Sequence, residues 1–278
     1  MEREHTIYLS STGSIDIYPQ NTPSKFTNRL ARPITLDLKI EYEIGLVSIL
    51  YPSEYYAITR HRVGNTISFI TKQKGVEYEN GFRHTIKNNI LAGNFEDVIN
   101  AINKELKLRL KTYYGDMYSK VFPNDNVFQW NKSEQKVEII CSKTPEEDGD
   151  IVYVSIHLGD EIASILGFRS DTYYQIYNET IAENIKSYIP TNPRFGVDYI
   201  YLYTDIIQPT NFGDQLVNIL DCFTLDNGGN KGIHNTLYKH LNTSYIDQIS
   251  IIVSDQNGRR LHFREDSVLT CVLHIRPK

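Results

Sequence analysis

Two carboxylates stand where this sequence could do chemistry: Asp205 at the end of the apolar run "LYTDII", and Asp214 in "NFGDQ". A pair of acids flanking a glycosidic bond can hydrolyse it, one protonating the leaving oxygen while the other attacks or activates water. Neither acid has a second carboxylate or a His at a recognisable supporting spacing. An acid closing an apolar strand is better explained by a hydrogen bond from a nearby backbone turn than by a role as catalytic base. The acidic run Glu146-Glu147-Asp148-Gly149-Asp150 offers hard oxygen ligands to Ca²⁺, but it lacks the alternating ligands of a defined loop and reads as a solvated turn. His234 and His240 are spaced so that no helix or strand presents both on one face, which argues against a metal site. His262 and His274 are expected on adjacent C-terminal strands as surface imidazoles. The chain contains no GxSxG, no glycine-rich phosphate loop, no HExxH and no EF-hand ligand series. The expectation is therefore a non-enzyme with no catalytic residue, no cofactor and no metal ligand.

Cys141, Cys222 and Cys271 are odd in number and widely spaced, which predicts neither a disulfide framework nor a zinc site. The net charge of −5, from 29 basic and 34 acidic residues, argues against a partner held through nucleic-acid phosphates. The basic clusters Arg60-His61-Arg62 and Lys104–Lys111 are short and read as solvated surface. Met1–Ser10 lacks the apolar core of a signal peptide, and no run has the length of a membrane span, so no membrane insertion is expected. The 20 Tyr and 11 Phe are conspicuous. They suit strands and interfaces, where a ring buries area while the Tyr hydroxyl keeps a polar contact. Tyr55, Tyr56, Tyr173 and Tyr174 could alternatively stack on sugar faces, which keeps open a β-sandwich glycan- or receptor-binding attachment module.

The elements that would position these groups are mostly strands. "TIYLSS" (Thr6–Ser11), "SKFTNRL" (Ser24–Leu30), "YEIGLVSILYP" (Tyr42–Pro52) and "TISFIT" (Thr66–Thr71) read as strands, the third apolar enough to be covered on both faces. Pro33 fits an edge strand or link, where no donor is needed. "GNFEDVINAINKELKLRLK" (Gly93–Lys111) is a helix capped by Asn94, with Phe95, Val98, Ile99, Ile102 and Leu106 on one face. "NVFQWN", "KVEIIC" and "IVYVSIHL" read as strands, and "DEIASIL" as a short helix ended by Gly167. After the proline-rich joint Tyr188–Gly196, strands are expected at Val197–Ile207, Gln215–Phe223, Tyr245–Asp255 and Ser267–Arg276. An Asn-Gly turn sits at Asn257-Gly258. The expected fold is mainly β: a single jelly-roll β-sandwich interrupted by a small α+β insertion domain. Residues 1–75 would form its first part, 76–190 the insertion and 191–278 its second part.

A resemblance lies in the order of several motifs along the chain. Asn21, Phe26, Leu30, Pro33-Ile34 and Leu36 precede "YEIGLVSILYP". "VINAINKEL" follows, then Ile165–Phe168, then Tyr203–Pro209 with Gly213-Asp214, and finally Asp255, Gly258, Phe263 and Leu273–Arg276. This series resembles the penton (vertex) capsid proteins of Polinton/Maverick elements and virophages. The resemblance implies a structural capsid protein, a homopentamer at the fivefold vertices of an icosahedral double-stranded DNA virus shell. It further implies contact with a double-jelly-roll major capsid protein and no direct nucleic-acid binding. Its place would be the virion, after synthesis in the host cytoplasm or a virus factory.

Overall fold

The computed structural model describes residues 4–60, 64–75, 80–143, 151–178, 180, 183–192, 194–225, 229–233 and 235–278. Along the chain, β1 (His5–Ser10), β2 (Lys25–Thr35) and β3 (Tyr42–Tyr51) come first. The middle holds β4 (Thr66–Gln73), β5 (Asn80–Thr85), α1 (Phe95–Tyr114), β6 (Phe128–Asn131), β7 (Lys136–Ile139), β8 (Ile151–Leu158), α2 (Asp160–Leu166) and β9 (Tyr173–Asn178). The last third holds β10 (Tyr199–Thr204), β11 (Ile219–Thr224), β12 (Gly229–Gly232), β13 (Tyr245–Asp255) and β14 (Thr270–Pro277). Two compact units result, one from Met1–Tyr55 with Val197–Lys278, the other from Tyr56–Gly196.

The first unit is a jelly roll. One sheet runs β1-β14-β3-β12 with Lys239–His240 also on β3, and the other runs β11-β10-β13-β2. Apart from β10 and β11, which pair in one sheet, successive strands of this unit cross between the two sheets, as the wrapped hairpin of a jelly roll demands. Alternation then gives each strand one buried row: Ile7 and Leu9 on β1, Ile200 and Leu202 on β10, Ile249, Ile251 and Val253 on β13, and Cys271, Leu273 and Ile275 on β14.

Two irregularities decide which side chains face out. Between Val272 and Leu273 the register of β14 on β3 shifts. A shift of one residue swaps the faces, so β3 buries Ile44 and Leu46 and then Ile49 and Tyr51, leaving Val47 and Leu50 exposed. The expectation that β3 is covered on both faces therefore fails over most of its length. It holds only at Gly45, where a Cβ would lie 2.3 Å from Thr236 Cγ2 and 3.2 Å from the Leu237 carbonyl. On β2, Arg29 pairs with Gln248 and Ile34 with Ile246, so the four residues Leu30–Pro33 bulge out against Asp247 alone.

Polar side chains fix the corners. Asn28 accepts from Ser10 N at 2.7 Å and donates to the Ser10 carbonyl at 2.9 Å, tying β2 to β1. Asn21 grips Thr27 in both directions, donating to its carbonyl and accepting from its N–H. Asp255, wholly buried, accepts from Asn257 N and Arg259 N through Oδ1, and from the Arg259 guanidinium at 2.8 Å through Oδ2. It thereby closes the Asn257-Gly258 turn.

The second unit joins a five-stranded sheet, Ser142–Lys143 with β9-β8-β4-β5, to a three-stranded one in which β7 lies between β6 and Ile185–Lys186. Its core is a continuous apolar cluster of strand and helix side chains. The residues expected on the inner face of α1 (Phe95, Val98, Ile99, Ile102 and Leu106) are all buried, and Asn94 Oδ1 caps Asp97 N at 2.8 Å. Buried Asn103 accepts from Val127 N and Phe128 N, both at 3.0 Å, and donates to the Phe128 carbonyl at 2.7 Å. The expected domain limits shift accordingly. β4, assigned above to the jelly roll, pairs with β5 and β8 and so lies in the second unit, whose limits are Tyr56 and Gly196 rather than 76 and 190. Gln215–Phe223 is also not one strand. Gln215–Val217 pairs back on Thr210–Phe212, and β11 starts after Asn218, whose side chain donates to the Ile207 carbonyl. Among the described residues no helix is long and apolar enough to cross a membrane.

Candidate functional site

The two candidate catalytic carboxylates are not brought together. Asp205, just past β10, accepts from Ser250 N at 2.9 Å, a backbone donor in the middle of β13 rather than in the nearby turn expected from the sequence. Asp214 sits in the tight turn between Thr210–Phe212 and Gln215–Val217, beside Gly213 at φ +61°. Asp205 lines a groove on the jelly-roll unit whose other walls do not include Asp214. The three cysteines are free thiols. Burial pushes Cys271 up to about 12 and Cys141 up to about 11, and burial with the adjacent Asp221 carboxylate raises Cys222. A nucleophilic cysteine needs the opposite shift, toward thiolate at neutral pH.

The histidines are dispersed as well. His240 pairs with Glu43 at the sheet edge. His262 lies in irregular chain before β14 rather than on a strand beside His274. His274 meets the Tyr238 hydroxyl at 2.9 Å through Nδ1 and Glu4 at 3.4 Å through Nε2. Among the described residues no three His, Cys, Asp or Glu side chains gather as a metal would need. His234, His61, Arg62 and the acidic run Glu146–Asp150 lie outside the described residues. Of the four tyrosines considered for sugar stacking, Tyr55 and Tyr174 are buried, and the Tyr174 hydroxyl is engaged by Arg169 N and O. Tyr173 alone is widely exposed.

The outer faces of the jelly-roll sheets carry the unusual chemistry. On β10, Tyr199, Tyr201 and Tyr203 point away from the core, since Ile200 and Leu202 fill it. Tyr203 pairs across to the exposed Ile252 of β13. The Thr210–Val217 hairpin lies on this face, with the Phe212 ring edge-on to Tyr201 at 5.6 Å. Leu216, opposite Asn211 in the second strand of the hairpin, is 69% exposed. Beside the hairpin runs an open groove of about 820 Å³, walled by Tyr203, Val217 and Ile252 with Lys25 and Arg260. On the other sheet, Tyr8 is 74% exposed and Leu50 lies near it, two strands away. There the Thr236–Tyr238 segment crosses Gly45, and Arg276 stacks on Tyr238 at 3.5 Å while pairing with Glu43. Exposed rings and aliphatic groups over satisfied polar groups can hold a partner, but they offer nothing to move a proton or a bond. The sequence reading singled out none of these apolar residues. The one available signal was Phe212 and Leu216 flanking a Gly-Asp turn, since apolar groups at a hairpin tip have no core to enter.

No family model matches the chain, and no curated protein does. Among solved structures, the crystal structure of selenomethionine-labelled mavirus penton protein is similar with a TM-score of 0.50 and 12% identity, over 99% of this chain and 100% of that one. At that identity the likeness is one of fold. The chain has a mainly β, penton-like fold, as the resemblance of its motifs implied.

Proposed function

We propose that this chain is the penton of an icosahedral capsid, five copies closing a ring at each vertex and meeting the major capsid protein of the shell around it. The observation that carries the proposal is the end-to-end likeness of fold to the mavirus penton protein, since it includes the inserted unit as well as the jelly roll. A closed ring needs a heterologous contact, one patch meeting a different patch on the next copy. Two dissimilar outer faces, one built around Tyr199, Phe212 and Leu216 and the other around Tyr8 and Leu50, supply such a pair. A structural role accords with carboxylates committed to backbone hydrogen bonds and with thiols held protonated. The inserted unit, on this reading, is a domain presented by the vertex.

The test is the mass of the purified chain by light scattering, with negative-stain imaging of any large species. A ring weighs 5 × 32.2 kDa, or about 161 kDa. Fivefold particles of that mass support the reading. A chain that stays monomeric even when mixed with its major capsid protein overturns it.

A further inference from the structure

The outward face of the five-stranded sheet in the inserted unit brings together residues far apart in sequence. His157 of β8 pairs with Tyr173 of β9 on one side and with Ser68 of β4 on the other, and Ser68 pairs with Arg83 of β5. Directly opposed residues share a face, so Tyr173, His157, Ser68 and Arg83 form one row across four strands. That face points away from the core, because the alternate residues Tyr174, Ile156, Phe69 and His84 are buried. The next row reads Gln175, Ser155, Ile70 and Gly81 by the same pairings. Tyr173 is 57% exposed, and the His157 ring lies 4.8 Å from it, extending an aromatic ledge. Ser68 and Gly81 keep the floor beside that ledge low, with Ile70 half-buried and Ser155 buried between its neighbours. At the far side, exposed Arg83 makes, among the described residues, only a long hydrogen bond, 3.4 Å, to Thr66 Oγ1. Neither row contains an Asp or Glu.

We propose that this face binds an anionic glycan, a sugar ring stacking on Tyr173 and His157 while a carboxylate or sulfate of the same chain meets Arg83. The dimensions suit it. Three strand spacings separate Tyr173 from Arg83, about 14 Å, the length of a chain of a few sugar rings. An aromatic ledge takes the apolar face of a pyranose, and Gln175 and Ser68 offer groups for its hydroxyls. A guanidinium with no carboxylate in its row favours an anion and binds it in bidentate fashion. A protein segment would instead call for an apolar cleft, and Ile70 is the one aliphatic side chain in these two rows. The assignment rests on the inserted unit alone and stands whether or not the chain forms a pentamer.

The experiment is calorimetric titration of the full chain with oligogalacturonate, a heparin hexasaccharide and neutral maltohexaose. Binding of an anionic probe at least about tenfold tighter than maltohexaose is expected, and the two anionic probes separate carboxylate from sulfate recognition. Tyr173→Ala should weaken that binding about tenfold or more. Arg83→Gln should bring the anionic probe down to the level of maltohexaose and flatten the salt dependence. Both side chains are exposed, so circular dichroism and Trp130 emission should be unchanged in either variant. No binding of any probe at about 1 mM overturns the assignment. So does maltohexaose binding as tightly as the anionic probes, or anionic binding that both variants retain in full.

Discussion

In the jelly-roll unit the buried rows come from strands, two residues apart, and the polar groups that matter sit at its corners: Asn28 between β1 and β2, Asp255 under the Asn257-Gly258 turn. In the inserted unit a 20-residue helix supplies much of the core, and the decisive polar group, Asn103, lies in the middle of it. The difference follows from what each architecture leaves unpaired. Two facing sheets satisfy their own backbone along the strands and lose partners only where the chain turns. A helix packed beside short strands leaves strand-end amides inside the core, and a side chain must reach them. The same damage should therefore fall in different places in the two units.

The chain's single tryptophan makes this testable, because Trp130 lies on β6, stacked on Phe95 at 4.9 Å, and reports the inserted unit. The largest effect is expected from Asn103→Leu. It strips partners from two amides and a carbonyl and should cost about 4 kcal/mol. In urea, the Trp130 fluorescence transition should move to lower denaturant while part of the circular dichroism signal persists. Asp255→Ala comes next at about 3 kcal/mol, since it leaves two buried turn amides unmatched and removes the ion pair to Arg259. Here the ellipticity should fall early and the Trp130 transition should stay in place. If both probes shift together in both variants, the two units unfold as one and the contrast between them has no thermodynamic meaning.

The smallest effect is expected at Asp221 on β11. Burial raises its carboxyl above the ordinary carboxylate range, against the pull of Lys239 and Lys231. The folded chain therefore keeps a proton that the unfolded chain has already released in the window just above that range, and stability falls as pH rises through it. Asp221→Asn should stabilise the jelly-roll unit at neutral pH, and that advantage should shrink as the pH is lowered through the same window. An advantage constant from pH 7 to pH 3 would place the effect in packing rather than in ionisation.

Much of this architecture was legible in the residues. Period-two rows marked β1, β13 and β14, and Asn94 with its apolar stripe marked α1, because each pattern has one physical source. The misplacement of β4 has an equally plain cause. Its Ile67-Phe69-Thr71 row buries just as well in either unit, and alternation states that a face is covered without stating by what. The swap of faces within β3 comes from one extra residue, Val47, and only the pairing with β14, more than two hundred residues away, shows that it is left without a partner there. Asp205 does accept a backbone N–H, because an acid at a strand end has amides within reach, but the donor is Ser250 on the neighbouring strand β13. The row from Tyr173 to Arg83 was not legible, since its members come from four strands and only the sheet register sets them side by side.

The bulge at Leu30–Pro33 governs how free copies of the chain coexist. A straight edge of that length would template the backbone of any neighbour and start open-ended growth. With four residues thrown out of register and a proline lacking its donor, β2 offers no continuous ladder to extend. Crowded copies then stay discrete and are not drained away into fibres.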